Sequence, residues 1–132
     1  MPLNNEHPDA EKRIELIEKM IARSSYNVDI WLQRGISSNG LCSFLGIKNI
    51  SNLKGCLGKV VTDTAFMSCG AAKGTGFGGY ILNIYCPKVT KMLYIDGRSY
   101  YKAENEMLIQ RNTTFRVTKI SGYFIDMEVI AQ

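Results

Sequence analysis

Two glutamates, Glu104 and Glu106, lie two residues apart directly before an apolar run in the stretch ENEMLIQ. At the spacing of a β-strand, residues i and i+2 project from the same face, so these two carboxylates would lie side by side. Like charges held so close repel each other unless a cation lies between them. The pair therefore suits a site that holds a substrate cation or a developing positive charge. The alternative interpretation is an exposed turn that precedes a strand.

An arginine ends an otherwise apolar row in the stretch VDIWLQRG. Strand alternation gives Arg34 the same face as Val28, Ile30 and Leu32. The opposite face carries Asp29, Trp31 and Gln33. Arg34 either extends out to solvent at the edge of the core or projects into a cleft at the end of its strand.

A serine is the third candidate for chemistry. Ser68 ends the stretch KVVTDTAFMS, which alternates as one strand would. That strand would place on a single face Val60, Thr62, Thr64, Phe66 and Ser68.

A glycine-rich stretch follows Ser68. The sequence GTGFGG at Gly74–Gly79 fits the dinucleotide fingerprint G-x-G-x-x-G, but a chain with 12 glycines produces this spacing easily. The fingerprint must follow a strand and open a helix, so that the helix N-terminus receives the pyrophosphate. Here it leads into YILNIYC, which has the pattern of a strand, and no βαβ alternation is present. The pattern therefore does not predict a Rossmann site.

The elements around these residues predict an α+β fold. Asp9 is expected to cap a helix that runs to about Ser24, with an apolar stripe of Ile14, Leu16, Ile17, Met20 and Ile21. The segments SSNGLCSFLG and ISNLKGCLG resemble loops with short helical turns. Further strands are predicted at YILNIYC, KMLYID, EMLIQ, TFRVTKI and YFIDMEVIA. One helix followed by six or seven strands favours a mostly antiparallel sheet.

Composition limits the function classes. We expect 132 residues to form a single domain over 1–132, with 1–8 flexible and with a longer parent protein left open. The net charge of +4 is scattered, which does not favour nucleic acid as a partner. No segment has the apolar length of a membrane span, and the polar start is not typical of a signal peptide. The four cysteines lack C-x-x-C spacing, so we expect reduced thiols and no metal site.

The order Arg…Ser…Glu-x-Glu resembles the mono-ADP-ribosyltransferases of the clostridial binary-toxin and exoenzyme type. The segment LQRGIS resembles that family's aromatic-Arg-Gly strand end at Arg34, and FMSCG resembles its Phe-hydrophobic-Ser-Thr-Ser segment at Phe66 and Ser68. The segments ILNIYCPKVTKMLYI and ENEMLIQRNTTFRVTKI resemble the later strands, including the Glu-x-Glu motif. The resemblance runs from about Ala10 to Val129, and it implies two packed, mostly antiparallel sheets around an NAD cleft.

The resemblance also implies a role for each motif residue. Glu106, the second Glu of the motif, is expected to stabilise the positive charge on the ribose when the nicotinamide–ribose bond breaks. Glu104, the first Glu, is expected to hold the acceptor, and Glu at this position favours arginine over asparagine as that acceptor. Arg34 would bind the NAD phosphates, Ser68 would orient Glu106, and Gly35 would offer backbone groups to the nicotinamide amide.

Further substrate contacts are implied in two loops. Phe77, inside the glycine-rich stretch, could stack on the nicotinamide ring, and Lys73 could approach a phosphate. Tyr100 and Tyr101 correspond to aromatic residues that contact the protein acceptor in the family. The alternatives are that Phe77 is a hydrophobic plug in its loop and that the two tyrosines pack within a turn.

The implied function is that of a bacterial toxin or effector, a glycosyltransferase that is secreted or injected and acts in the cytoplasm of a target cell. NAD would be its co-substrate, and its partners would be a target protein with an accessible arginine and an inhibiting immunity protein. Two alternatives stay open, an acceptor that is a nucleic acid or small molecule and a non-catalytic binding module. The chain departs from the family where Ser68-Cys69-Gly70 replaces Ser-Thr-Ser, which puts in question the support of the catalytic glutamate.

Overall fold

The computed structural model describes residues 8–70, 79–95 and 106–132, with side chains from residue 11 onward. The helical elements are α1 (Pro8–Ala22), α2 (Ser38–Leu45) and a 3-10 helix (Ile50–Cys56). The strands are β1 (Ile30–Ile36), β2 (Val60–Asp63), β3 (Met67–Gly70), β4 (Tyr80–Cys86), β5 (Met92–Ile95), β6 (Glu106–Ile109), β7 (Thr113–Ser121) and β8 (Phe124–Ala131). No helix in these described ranges is long and apolar enough to cross a membrane.

The strands form an eight-stranded sheet in the order β2-β7-β8-β4-β1-β3-β6-β5. Its neighbours are antiparallel apart from β4 and β8, which run parallel. The α+β class with a mostly antiparallel sheet is therefore confirmed. The two sheets of the prediction correspond to two parts of this eight-stranded sheet. The five-stranded part runs from β2 to β1 in the strand order, and the three-stranded part runs from β3 to β5. These parts join through one registered pair, Gln33 with Gly70.

Strand alternation predicts the core well. In β8 the side chains of Ile125, Met127 and Val129 are buried, while Asp126 and Glu128 between them are only half-buried. One hydrophobic cluster spans both parts of the sheet, with Leu32 and Phe115 from the five-stranded part and Ile109 from the three-stranded part. Both parts of the sheet thus pack on the same core.

The N-terminal helix differs from the prediction at its start, because Pro8 is already helical and Asp9 therefore lies within the helix and not at the N-cap position. Its apolar stripe is mostly exposed, with Leu16 58% and Met20 48% accessible, whereas Ile21 is fully buried. Periodicity identifies an apolar face but does not show what covers it.

The stretch from Val60 to Ser68 does not form the single strand that its alternation predicts. β2 ends at Asp63 and pairs with β7, whereas β3 begins at Met67 and pairs with β1 and β6. The cause is a side-chain turn, because the Asp63 carboxylate Oδ1 accepts a hydrogen bond of 3.0 Å from the Ala65 N–H. This turn separates the two strands and carries the chain from one part of the sheet to the other.

Candidate functional site

Arg34 lies where the two parts of the sheet separate. It shares the inward face of β1 with Leu32, which is 1% exposed, and it is itself half-buried. Its Nη1 donates a hydrogen bond of 2.6 Å to the main-chain oxygen of Ser68 on β3. An arginine has five N–H donors and keeps its charge in proteins, so the remaining donors can bind an anion. Of the two alternatives from the sequence, the cleft position is the one observed.

Ser68 and Glu106 meet on adjacent strands. β3 pairs antiparallel with β6, with Ser68 opposite Leu108 and Gly70 opposite Glu106. The two side chains are therefore diagonal neighbours, and Ser68 Oγ donates a hydrogen bond to Glu106 Oε2. Because this bond holds one carboxylate oxygen, the side chain is restrained while its other oxygen remains an acceptor.

These contacts connect three residues that are distant in the chain. Ser68 receives Arg34 on its main-chain oxygen and binds Glu106 with its hydroxyl. The guanidinium is thus held by a neutral carbonyl and the carboxylate by a neutral hydroxyl. A fixed cation and a fixed anion near one serine can bind a substrate that has phosphate groups and develops positive charge.

The replacement of Ser-Thr-Ser by Ser68-Cys69-Gly70 leaves the serine–glutamate contact in place. Cys69 points into the core and is 2% exposed. Burial raises the pKa of the Cys69 thiol to about 12, and Cys86, Asp63 and Glu106 add to this while Arg34 opposes it. The thiol is therefore protonated at neutral pH and is not a nucleophile. Ser68 thus contacts Glu106 although Cys69 and Gly70 replace the last two residues of the family's Ser-Thr-Ser segment.

A cavity of about 460 Å³ opens beside Arg34. It lies between the end of β1 and the start of α2, where the Ser37 hydroxyl caps the helix by accepting from the Gly40 N–H at 3.1 Å. The described residues that line it are Arg34, Gly35, Ile36, Ser37, Gly40, Ser43, Phe44, Asp63, Met67 and Leu82. Its volume lies within the range of about 300–1,000 Å³ that is typical of small-molecule sites. Gly35, a predicted contact, is among its walls, whereas Ser68 and Glu106 are not.

The sequence reasoning missed Asp63 as a residue of this cavity. Its signal was present, because Asp63 follows Val61 at strand spacing and therefore shares the inward face of β2. The prediction of one long strand through Ser68 placed Asp63 on the face opposite to Ser68, so Asp63 was not among the predicted site residues.

The last glycine of GTGFGG is needed for close packing. Gly79 has a φ of 137°, and a Cβ atom there would lie 2.7 Å from the main-chain oxygen of Ile36. The start of β4 thus passes directly against the end of β1 beside the cavity. The other residues of Gly74–Gly79 lie outside the described residues.

Several predicted residues are also outside the described ranges. They are Glu104, Phe77, Lys73, Tyr100 and Tyr101. The structure therefore brings together Arg34, Ser68 and Glu106 and places Gly35 at the adjacent cavity. The four cysteines are free thiols, and the described residues contain no group of three or more His, Cys, Asp or Glu that could hold a metal ion.

The chain belongs to the ADP-ribosyltransferase exoenzyme family, whose sequence pattern it matches over residues 2–128. This match confirms the resemblance found in the sequence. A search of the curated proteins finds no match.

Solved structures of bacterial toxins share the fold. Plx2a, an ADP-ribosyltransferase toxin from Paenibacillus larvae, is 22% identical with a TM-score of 0.78, covering 94% of this chain and 72% of that one. C3stau2 from S. aureus, solved with NAD, is 18% identical with a TM-score of 0.74, covering 98% and 75% respectively. The toxin BECa of C. perfringens, solved with NADH, is 20% identical with a TM-score of 0.75; the match covers 94% of this chain but only 36% of BECa.

Proposed function

We propose that this protein is an NAD-dependent mono-ADP-ribosyltransferase that transfers ADP-ribose to an arginine of a target protein. The observation that carries the proposal is the hydrogen-bonded connection of Arg34, Ser68 and Glu106 across three strands. Family membership supports the reaction class, and the structures solved with NAD and NADH support the co-substrate.

Glu106 is proposed to act at the ribose. When the nicotinamide–ribose bond breaks, its electron pair goes to the pyridine nitrogen, and positive charge develops on the sugar as in glycoside hydrolysis. A carboxylate fixed beside the sugar stabilises this charge more in the transition state than in the ground state, which accelerates the step. Ser68 is a positioning residue in this scheme, because it holds one oxygen of Glu106.

Arg34 is proposed to bind the phosphates. Its planar guanidinium suits bidentate contact with phosphate oxygens, and the bond to the Ser68 carbonyl uses only one of its donors. The cation is therefore fixed before the substrate arrives, which reduces the ordering cost of binding. Gly35 in the adjacent cavity offers main-chain groups to the nicotinamide amide.

Glu104 is proposed to bind the acceptor arginine, with Tyr100 and Tyr101 as further acceptor contacts. A guanidinium is charged at physiological pH and needs a carboxylate to orient it and to receive its proton as the new C–N bond forms. Because the matched structures are bacterial toxins, we propose that the protein is secreted or injected and acts in the cytoplasm of a target cell.

Transfer of label from NAD tests this function. The purified chain is incubated with NAD labelled in the adenine and with bacterial or eukaryotic lysate, and the modified residue is located by mass spectrometry. The proposal expects label on an arginine side chain. Label on asparagine or glutamine would contradict the role of Glu104, and label on nucleic acid would contradict a protein acceptor.

A further inference from the structure

Asp63 places a second charge at the site, and the motif residues do not account for it. β2 ends there with Val61 and Asp63 on its inward face, and β1 carries Leu32 and Arg34 on its own inward face just before its end at Ile36. Both charged side chains line the cavity of about 460 Å³. Asp63 is the one acid and Arg34 the one base among the described residues that line it.

The turn that follows β2 uses only part of the hydrogen-bonding capacity of the Asp63 carboxylate. Asp63 Oδ1 accepts from the Ala65 N–H at 3.0 Å. A carboxylate has two oxygens and about four acceptor positions, so the turn leaves acceptor capacity on a side chain that lines the cavity. An asparagine or serine would make the same turn without a charge. The turn alone therefore does not require an acid at this position.

The two cavity charges suit different parts of a dinucleotide. Arg34 can bind the pyrophosphate, and the carboxylate can accept hydrogen bonds from a group that has N–H or O–H donors. Both halves of NAD carry such donors, the carboxamide on one and the ribose hydroxyls on the other. An additional anion on the half that enters the cavity would instead be repelled by Asp63, because contact between like charges disfavours binding.

We propose that Asp63 determines substrate specificity, accepting a hydrogen bond from the nucleoside half that enters this cavity and excluding dinucleotides with an extra anion there. This inference rests on the proposed use of NAD. Two analogues distinguish the halves, because deamido-NAD has a carboxylate in place of the carboxamide and NADP has a phosphate on the adenosine ribose.

Binding measurements on Asp63→Asn test the proposal. The substitution is nearly isosteric and keeps the acceptor for the Ala65 N–H, so the turn is preserved. Dissociation constants for NAD, deamido-NAD and NADP are measured by calorimetry in a Glu106→Gln background, which limits turnover during the titration. Circular dichroism checks the fold, and Asp63→Ser provides a second variant that retains a turn-forming oxygen.

The parent chain is expected to bind one of the two analogues at least about tenfold more weakly than NAD, and Asp63→Asn and Asp63→Ser to restore most of that loss. Recovery of deamido-NAD would place the nicotinamide half in the cavity, as the role proposed for Gly35 requires, whereas recovery of NADP would place the adenosine half there and contradict that role of Gly35. Asp126→Asn is the matched control, because it removes the same charge from the outward face of β8 and can still accept from the Asn83 amide. The preference of Asp126→Asn for NAD over the two analogues is expected to equal that of the parent chain.

If NAD still binds but neither analogue binds more tightly to the Asp63 variants than to the parent chain, the role of Asp63 is overturned and the proposed function is left intact. Equal recovery in Asp126→Asn would also overturn it, since the effect would then reflect net charge. Failure of the parent chain to bind NAD would contradict the proposed function itself.

Discussion

The two parts of the sheet contribute differently to the candidate site. In the five-stranded part, β1 pairs with β4 along its whole length, from Ile30–Cys86 to Ile36–Tyr80. Where β1 meets the three-stranded part it pairs through Gln33 and Gly70 alone. Arg34 comes from the first part, and Ser68 and Glu106 come from the second. Arg34 thus lies on a strand with a long ladder of pairs, and Glu106 lies on a strand with a short one. The cleft lies where these two parts of the sheet join.

We propose that this difference separates binding from chemistry. In the proposed function, the part with Arg34 binds the co-substrate, and the three-stranded part supplies Glu106, which acts on the bond to be broken. Contact between them runs through Ser68, whose carbonyl oxygen and hydroxyl are both in use. Substitutions in the two parts should therefore have separable effects, and the following predictions test that separation.

The largest effect is expected on the free energy of unfolding, from Phe115→Ala in the five-stranded part. Phe115 is fully buried, and Phe→Ala changes in cores cost about 3–5 kcal/mol. Denaturant titration measures the loss. Leu57→Ala, at a residue that is 62% exposed, is the control and is expected to change stability by about 0.5 kcal/mol or less. Equal losses in the two variants would contradict the core described above.

Glu106→Gln should affect chemistry and leave binding almost intact. The amide keeps the shape and an acceptor for Ser68 but removes the charge, so nicotinamide release is expected to fall by roughly 10²–10³-fold. Steady-state kinetics measure the catalytic rate, and NAD titration measures the affinity. Glu128→Gln on β8 is the matched control, because it makes the same change of side chain on another strand. Weak NAD binding at an unchanged catalytic rate would reverse the assignment of the two parts.

Arg34→Lys should have the opposite signature. Lysine keeps the charge but loses the fork that binds a carbonyl and a phosphate together, so NAD affinity is expected to fall about tenfold or more. KM and Kd for NAD are measured together with kcat, so that a loss of affinity can be distinguished from a loss of catalytic rate. Arg116→Lys, at an exposed position on β7, serves as the control. A fall in kcat with unchanged affinity would mean that Arg34 acts on the reacting bond.

Ser68→Ala should reduce activity by about tenfold, since hydrogen bonds to charged groups contribute about 1.5–3 kcal/mol. The loss is expected in kcat and not in KM, because Glu106 is then less well oriented. Ser68→Thr keeps the hydroxyl and should restore the rate. Absence of rescue by threonine would indicate a merely structural role for Ser68.

The smallest effect at neutral pH concerns Cys69. Because burial raises its folded-state pKa from 9.0 to about 12, its contribution to stability is present below pH 9 and is lost as the pH rises toward 12. Denaturation measured across this window should show less loss in Cys69→Ala than in the parent chain. Rapid alkylation of Cys69 in the native protein at pH 8 would contradict its burial.

Local patterns predicted most of the strands. β4 covers YILNIYC as its alternation indicates, and β8 buries the predicted face, because each of these strands has one side in the core. The junction between β2 and β3 was not predictable from alternation, since Asp63 continues the pattern and also forms the turn that ends it. The face of α1 was predicted, but its exposure depends on tertiary packing.

The site was predicted from motifs more than from physical patterns. Arg34 stood out as a charge on an apolar face, but its contact with Ser68 depends on pairing between distant strands, which a single sequence does not encode visibly. Ser68 and Glu106 were linked through the family resemblance. Asp63 belongs to no motif and became apparent only when the fold placed it in the cavity beside Arg34.

The most direct test of the central claim is release of nicotinamide from NAD by the purified chain without any acceptor, followed by chromatography. Because Arg34, Ser68 and Glu106 are proposed to act on NAD and not on the protein acceptor, we predict slow, saturable release of nicotinamide and ADP-ribose, with water accepting the sugar. Binding of NAD with no release above the background rate of the solution would contradict the claim that these residues form a site that cleaves NAD.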